Sequence, residues 1–305
     1  MAYNVADLDN FKLEDPSKLI YAKIYSEGDT AKLMQIQTGV KSTDTINIVT
    51  TEGVWQTQGC SFTASGDVTF TQRDITVGKV AINMSFCERD LEPKFLQLAM
   101  KKGGNYDTLT FYNDIVNQVL ENAGKRLEVA IWKGDTTSGS VYLNKFDGLV
   151  KIIGAASGVT TISGTAWSSA NSRTVIQALN ASVVANSDVY RTGKTIKYFM
   201  SPQMAYEYRQ KLITDNLYHI NVNNDGKLYA EGTGIEIVEC AGLAGLNYIY
   251  AIEPENMYMG VDLENEQEKV DFWQSKDDQN LKMHVEFKVG VNIAFPDRVW
   301  KYLGV

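Results

Sequence analysis

Residues 110–135 read TFYNDIVNQVLENAGKRLEVAIWKGD. Val116, Leu120, Ala123, Leu127 and Ile131 recur every three or four positions, and Phe111, Ile115 and Val119 widen the same apolar stripe. That spacing predicts an amphipathic helix from about Thr110 to Lys133, ended by Gly134-Asp135. At about 1.5 Å per residue it is roughly 35 Å long, the width of a small domain. Gly124 falls inside the pattern. An interior glycine costs about 1 kcal/mol relative to alanine, so Gly124 is an expected bending point of the helix.

Upstream of this helix the period changes. Residues 1–40 show little periodicity and read as an arm. Ile46 and Ile48 then alternate with polar neighbours up to a Glu52-Gly53 turn and Val54, which predicts a hairpin. Cys60, Phe62 and Ala64 alternate up to Ser65-Gly66-Asp67, and Val68 and Phe70 resume beyond it, a second hairpin. Val80, Ile82, Met84 and Phe86 share one face of the cleanest strand, which ends at the charged cluster Glu88-Arg89-Asp90. A short helix follows over Leu91 to Lys101, with Pro93 in its first turn and Gly103-Gly104 after it.

Downstream, Phe146-Asp147-Gly148-Leu149-Val150 is an apolar anchor between Gly, Ser and Thr-rich stretches at 136–140 and 154–170. Helices are expected from Ser172 to Val184 and from Pro202 to Ile213, the latter capped by Ser201. Strands are expected at Ile196–Met200, Ile235–Val238, Tyr248–Ile252, Met257–Val261, Lys282–Phe295 and Val299–Leu303.

The composition bounds the function. In 305 residues, 44% are hydrophobic and 22% charged, with 24 Gly and 5 Pro, which excludes wholesale disorder and a collagenous fibre. No apolar run reaches the ~18 residues of a membrane span. Met1 to Asp15 carries acids where a signal peptide has bases, so the expectation is a chain neither secreted nor membrane-bound. A net charge of -8 disfavours a protein whose main task is gripping phosphates. Cys60, Cys87 and Cys240 lie far apart, without metal-ligand spacing, and read as reduced thiols.

No motif assembles catalytic chemistry. Gly193-Lys194-Thr195 lacks the upstream glycine of a phosphate loop, Asp188 standing in its place, and a strand follows where a helix is needed. Gly232, Gly234, Gly242 and Gly245 read as turns. His219 and His284 have no zinc spacing. The series Asp262, Glu264, Glu266 and Glu268 lacks the glycine of a calcium loop and reads as a solvated loop or edge strand, and Asp7, Asp9, Glu14 and Asp15 as a solvated tail. No catalytic residue, metal or cofactor is expected. Hairpins without a core of their own must cover their apolar faces with something, and a neighbouring subunit is the natural candidate.

The order of these pieces resembles the major capsid protein of tailed bacteriophages, the fold named after phage Hong Kong ninety-seven. The likeness covers roughly residues 41–305. It rests on the extended β-loop Lys41 to Gly78, the long helix ending in Ile131-Trp132-Lys133-Gly134-Asp135, and the anchor Phe146-Asp147-Gly148-Leu149. Tyr198-Phe199-Met200-Ser201-Pro202 is similar to the family's strand, small residue, proline and helix, with Leu212 closing that helix. Gly234-Ile235-Glu236-Ile237-Val238 resembles its Gly-x-Pro-Val-Val strand, with Glu236 where proline is usual. Met283 to Phe295, Pro296 and Arg298 to Tyr302 match its long peripheral strand and closing turn.

The resemblance implies an α+β fold divided into an N-terminal arm (1–40), an extended E-loop (41–78), a P-domain with its spine helix (79–135), an A-domain (136–264) and return strands of the P-domain (265–305). It implies a structural protein, not an enzyme, that self-assembles as pentamers and hexamers into an icosahedral shell around a double-stranded DNA genome. Its partners would be copies of itself, a portal, and separate scaffold or decoration proteins, with packaged DNA touched only non-specifically. The implied location is the virion capsid, assembled in the cytoplasm of a bacterial host. An encapsulin-like container of the same fold is the alternative. Trp55, Phe62, Phe70, Glu88, Arg89 and Asp90 are the expected subunit-interface residues, and Gly124 the expected hinge, because the family's spine helix is bent in precursor shells and straighter in mature ones. The cross-linking lysine and asparagine of one relative have no matching motif here. With no charged helical leader after Met1, proteolytic trimming is not expected.

Overall fold

The computed structural model describes residue 24 and residues 28–51, 55–57, 66–87, 108–185, 195–217, 227–262, 269–275, 277 and 280–304. In chain order the first strands are β1 (Gln35–Gln37), β2 (Thr43–Thr51), β3 (Val68–Thr76) and β4 (Gly78–Phe86). Helix α1 (Thr108–Lys133) follows, then α2 (Leu149–Ala155), β5 (Thr160–Ile162), α3 (Ser172–Ala185) and β6 (Lys197–Met200). Next come α4 (Pro202–Thr214), β7 (Leu228–Tyr229), β8 (Glu236–Glu239), β9 (Tyr248–Ile252) and β10 (Met257–Val261). The chain closes with β11 (Lys269–Gln274), β12 (Leu281–Ile293) and β13 (Trp300–Leu303).

The helix read from the stripe at 110–135 is α1, and Val116, Leu120, Ala123, Leu127 and Ile131 are all buried. They pack on a sheet ordered β1-β10-β12-β11, in which β12 also takes β4 as an antiparallel partner. A second sheet, ordered β5-β13-β9-β6-β8-β7, carries α3 and α4 on a core of Val175, Ile176, Leu179, Tyr198, Tyr208 and Trp300. β6 and β8 are parallel and joined through α4, the crossover that a parallel pair requires. Ser201 starts α4 as expected: its side chain accepts the Met204 N–H at 3.3 Å, with Pro202 in the first turn.

Several expectations change. β2 pairs along its whole length with β3, from Thr43 opposite Thr76 to Thr51 opposite Val68. A nine-residue antiparallel ladder thus joins two segments read as belonging to separate hairpins, and each satisfies the other's backbone groups. Residues 52–54 and 58–65 lie outside the described residues, as do the Leu91 to Lys101 helix, Cys60 and His219. The anchor Phe146 to Val150 runs into a helix, α2, within a stretch read as loop. Residues 28–40, read within the arm, are docked: Ala31, Met34 and Val40 are buried, and β1 adds to β10 in parallel.

Asp262, read as solvated, is fully buried, and the Lys288 ammonium donates to its Oδ2 at 2.7 Å. The pair closes the end of β10 over β12, and Lys288 also donates to the Lys41 carbonyl at 3.1 Å. Glu264, Glu266 and Glu268 lie outside the described residues.

Gly134 and Gly148 explain why the chain turns where α1 ends. The Gly148 N–H donates to the Gly134 carbonyl at 2.8 Å. A Cβ at Gly148 would stand 2.6 Å from both the Gly134 nitrogen and the Trp132 carbonyl oxygen. Backbone atoms cannot move aside as a flexible side chain can, so this crossing requires glycine.

Gly148→Ala is expected to destabilise the subunit by about 1–3 kcal/mol in denaturant unfolding. Gly154→Ala in α2, where nothing lies within 4 Å of a Cβ, should be neutral or stabilising by up to about 1 kcal/mol. Asp262→Ala strands a buried ammonium and should cost about 3–5 kcal/mol in the same assay.

Candidate assembly surface

The residues searched for chemistry are structural where they are described. The ring Nδ1 of His284 on β12 hydrogen-bonds Asn83 of the paired strand β4, opposite it in register, and Nε2 lies 3.7 Å from a Glu286 carboxylate oxygen. Gly232, Gly234 and Gly245 have positive φ and form turns. β6 begins two residues after Thr195, as the strand reading of that stretch expects. Cys87 is partly buried and Cys240 buried, and burial pushes the Cys240 thiol far above its ordinary range. Among the described residues no group of three or more His, Cys, Asp or Glu is placed to hold a metal ion, and no helix is long and apolar enough to cross a membrane.

Charged side chains instead tie the second sheet's helices together. Arg173 on α3 makes a bidentate pair with Glu231, at 2.6 and 2.7 Å, and reaches Asp215 at 3.4 Å. The Arg173 guanidinium holds the Glu231 carboxyl below its usual range. The Glu231 carbonyl accepts from Asn180 and its N–H donates to the Tyr208 hydroxyl. After α1, the Lys151 ammonium donates to Asp135 and Asp147 at 2.7 and 2.8 Å. With the Thr137 hydroxyl and N–H, it draws the Asp135 carboxyl down to about 2.

The β2–β3 hairpin divides its residues between two unlike faces. On one, Ile46, Ile48 and Ile75 are buried with Val40, Val77 and Ala294, so the hairpin has a small core at its base, contrary to the expectation of none. Asn292 strengthens the attachment by donating to the Asp74 carbonyl at 2.6 Å. On the other face Val49 stands opposite Phe70 and Thr51 opposite Val68. Val49 is 54%, Val68 51% and Phe70 74% exposed. Trp55, beyond the end of β2, is 98% exposed.

A second open apolar surface lies between β4 and α1. Val80, Ile82 and Phe86 are only half-buried and Met84 is exposed, although the alternation reads as a core face. Val80, Ile82 and Met84 border a cleft of about 460 Å³ with Val119, Ala123 and Tyr142 along its sides. Arg126 of α1 stacks over the Tyr142 ring at 4.1 Å.

Of the residues singled out from sequence, Trp55 and Phe70 are described and exposed; Phe62, Glu88, Arg89 and Asp90 lie outside the described residues. Gly124 is buried within α1. Sequence reasoning missed Val49 and Tyr142, since exposure of an apolar residue carries no local signal. It also missed Glu128, whose position on the apolar stripe, four residues from both Gly124 and Trp132, could have marked it.

No protein-family profile matches the chain and no curated protein matches it. Solved structures do. A chain from the satellite phage P4 procapsid, determined with its size determination (Sid) protein, superposes with a TM-score of 0.64 at 9% identity, covering 98% of this chain and 95% of that one. A chain from the capsid of Myoviridae phage XM1 gives 0.57 at 14% identity, covering 90% of each. A chain from the capsid of the native GTA particle gives 0.55 at 13% identity, covering 91% and 90%. Matched over nearly the whole of both chains, the protein has the α+β fold of tailed-bacteriophage major capsid proteins.

Proposed function

We propose that this chain is a structural capsid protein that assembles with copies of itself, as pentamers and hexamers, into an icosahedral shell around the double-stranded DNA of a tailed bacteriophage. The observation that carries the reading is the hairpin: one face anchors it to its own subunit, and the other presents Val49, Val68 and Phe70 to solvent. An apolar strip of this kind is suited to a partner. The half-open cleft between β4 and α1 offers a surface of matching chemistry on a second copy. Capsid origin of the structures it resembles supports the same conclusion. An acidic net charge suits a wall that must not cling to packed DNA.

In this reading residues 41–78 serve as the E-loop, α1 as the spine of a P-domain, and the second sheet with α3 and α4 as an A-domain. A portal and separate scaffold or decoration proteins would complete the particle in the bacterial cytoplasm. Glu88, Arg89 and Asp90 are assigned to the subunit interface with Trp55, Phe62 and Phe70. Gly124 is assigned as the hinge of the spine.

Purified protein should form closed shells in negative-stain micrographs. Replacing Val49, Val68 and Phe70 together by threonine should leave subunit stability within about 0.5 kcal/mol, because the positions are exposed and threonine suits a strand, yet abolish shells. Normal particles from that variant would refute the assignment. Gly124→Ala should stabilise the subunit by up to about 1 kcal/mol and slow expansion of precursor shells; a destabilised subunit would mean that Gly124 serves packing instead.

A further inference from the structure

Glu128 lies on α1 one turn before Trp132 and is only 4% exposed. Its Oε1 accepts from the Thr30 hydroxyl and, at 3.4 Å, from the Thr30 N–H. The Trp132 indole N–H donates to the same Thr30 oxygen at 2.8 Å, and Cys240 Sγ lies 3.3 Å from it. Three separate parts of the chain therefore meet at one carboxyl: the 28–34 segment, the spine-like helix and the turn after β8. Fit is tight on both sides. A Cβ at Gly28 would stand 2.1 Å from Glu128 Oε2, and one at Gly242 2.4 Å from the Glu128 carbonyl oxygen.

Glu128 Oε2 is buried and has no hydrogen-bond partner among the described residues. Nor does any described lysine, arginine or histidine ion-pair with the carboxyl. The groups that face the junction are Asp29 from the docked segment, and Cys240 with Glu239 from the turn. Lys125 and Arg126 on α1 are exposed, and Lys133 is engaged with the Ala244 carbonyl. Tyr250 stacks behind Trp132. Burial pushes the Glu128 carboxyl above its ordinary range; the Thr30 donors and the Ala31 backbone N–H oppose that, and Asp29 adds to it.

The two oxygens are unequal in a way that decides what a proton does. A proton on Oε2 occupies the oxygen that accepts nothing, so Oε1 keeps both bonds from Thr30. Ionisation instead places a charge with no counter-cation among the described residues in a buried setting beside Asp29. We propose that Glu128 is a proton-operated latch, which in its neutral form holds residues 28–34 on α1 and the 240–243 turn and on ionising releases them. The docked state binds the proton more tightly than the free chain does. Docking is therefore complete below the ordinary carboxylate range and weakens as pH rises through the raised value of the docked carboxyl. Release would uncover Ala31 and Met34 and free β1, which continues from this segment onto β10. The inference concerns the subunit itself and does not depend on the shell reading.

Amide hydrogen exchange on the full chain tests it, with protection of residues 28–37 referred to that of 249–252 in the second sheet at each pH. Wild-type protection of 28–37 should fall by up to about tenfold per pH unit as pH rises from the ordinary carboxylate range to the docked carboxyl's raised value, and level off above it. Glu128→Gln, isosteric and without a proton to lose, should be flat. A wild type that is flat, or a Glu128→Gln variant that keeps the wild-type slope, overturns the latch. If Glu128→Gln does not fold, infrared titration of the wild type decides alone. A protonated-carboxyl band must persist above the ordinary carboxylate range and vanish together with the protection of 28–37; its absence while the segment is protected overturns the proposal.

Discussion

The indole of Trp132 is the contact on which the arrangement turns. It is fully buried, stacks on Tyr250 of β9 at 5.5 Å and lies tilted against Phe199 of β6 at 5.6 Å. Its N–H is satisfied by Thr30, and its ring edge leaves no room for a side chain at Gly242. One residue at the end of α1 thus fixes the helix against the second sheet, the docked N-terminal segment and the turn after β8. Large aromatic rings bring both area and a geometric preference to such a joint. The close approach of Gly134 and Gly148 immediately afterwards turns the chain away from the joint without disturbing it.

With the interior held in this way, polar groups inside it are paired and apolar groups outside it are left over. Lys288 and Asp262, Arg173 and Glu231, Tyr198 and Asn180 each satisfy one another. A lone member of any of these pairs would be costly, so they specify which elements sit together more than they add stability. Asn256 works likewise, accepting from the Phe295 N–H and donating to the Phe295 carbonyl to close the end of β12 on β10. Glu128 is one of a few departures among the described residues, a buried carboxyl with one oxygen unanswered.

The hairpin has the opposite character. Its base shares a small core with Val40 and Ala294, and its outer face has none. Two strands alone are marginal in water, so anchoring at the base is what lets the rest stand with Val49 and Phe70 exposed. An element held by one face and open on the other suits association, and the capsid fold of the chain is in keeping with that.

Long regular patterns were legible from the residues alone. The stripe from Val116 to Ile131 determined α1, the alternation at 248–252 and 257–261 determined β9 and β10, and Ser201-Pro202 determined the start of α4, because each depends on neighbours a few positions away. The order of those elements was enough to suggest the fold. Partners distant in sequence were not legible. The pairing of β2 with β3, the short strand β1, and the burial of Asp262 beside Lys288 depend on which segments meet, and solvent-exposed and buried readings of the same residues look alike in one dimension. The assembly surface shares that ambiguity. Val49 and Phe70 alternate as core residues do, as do Ile46 and Ile48, and only the tertiary structure decides which face of the hairpin meets its own subunit, because burial is set by what packs across the strand and not by the strand's own pattern.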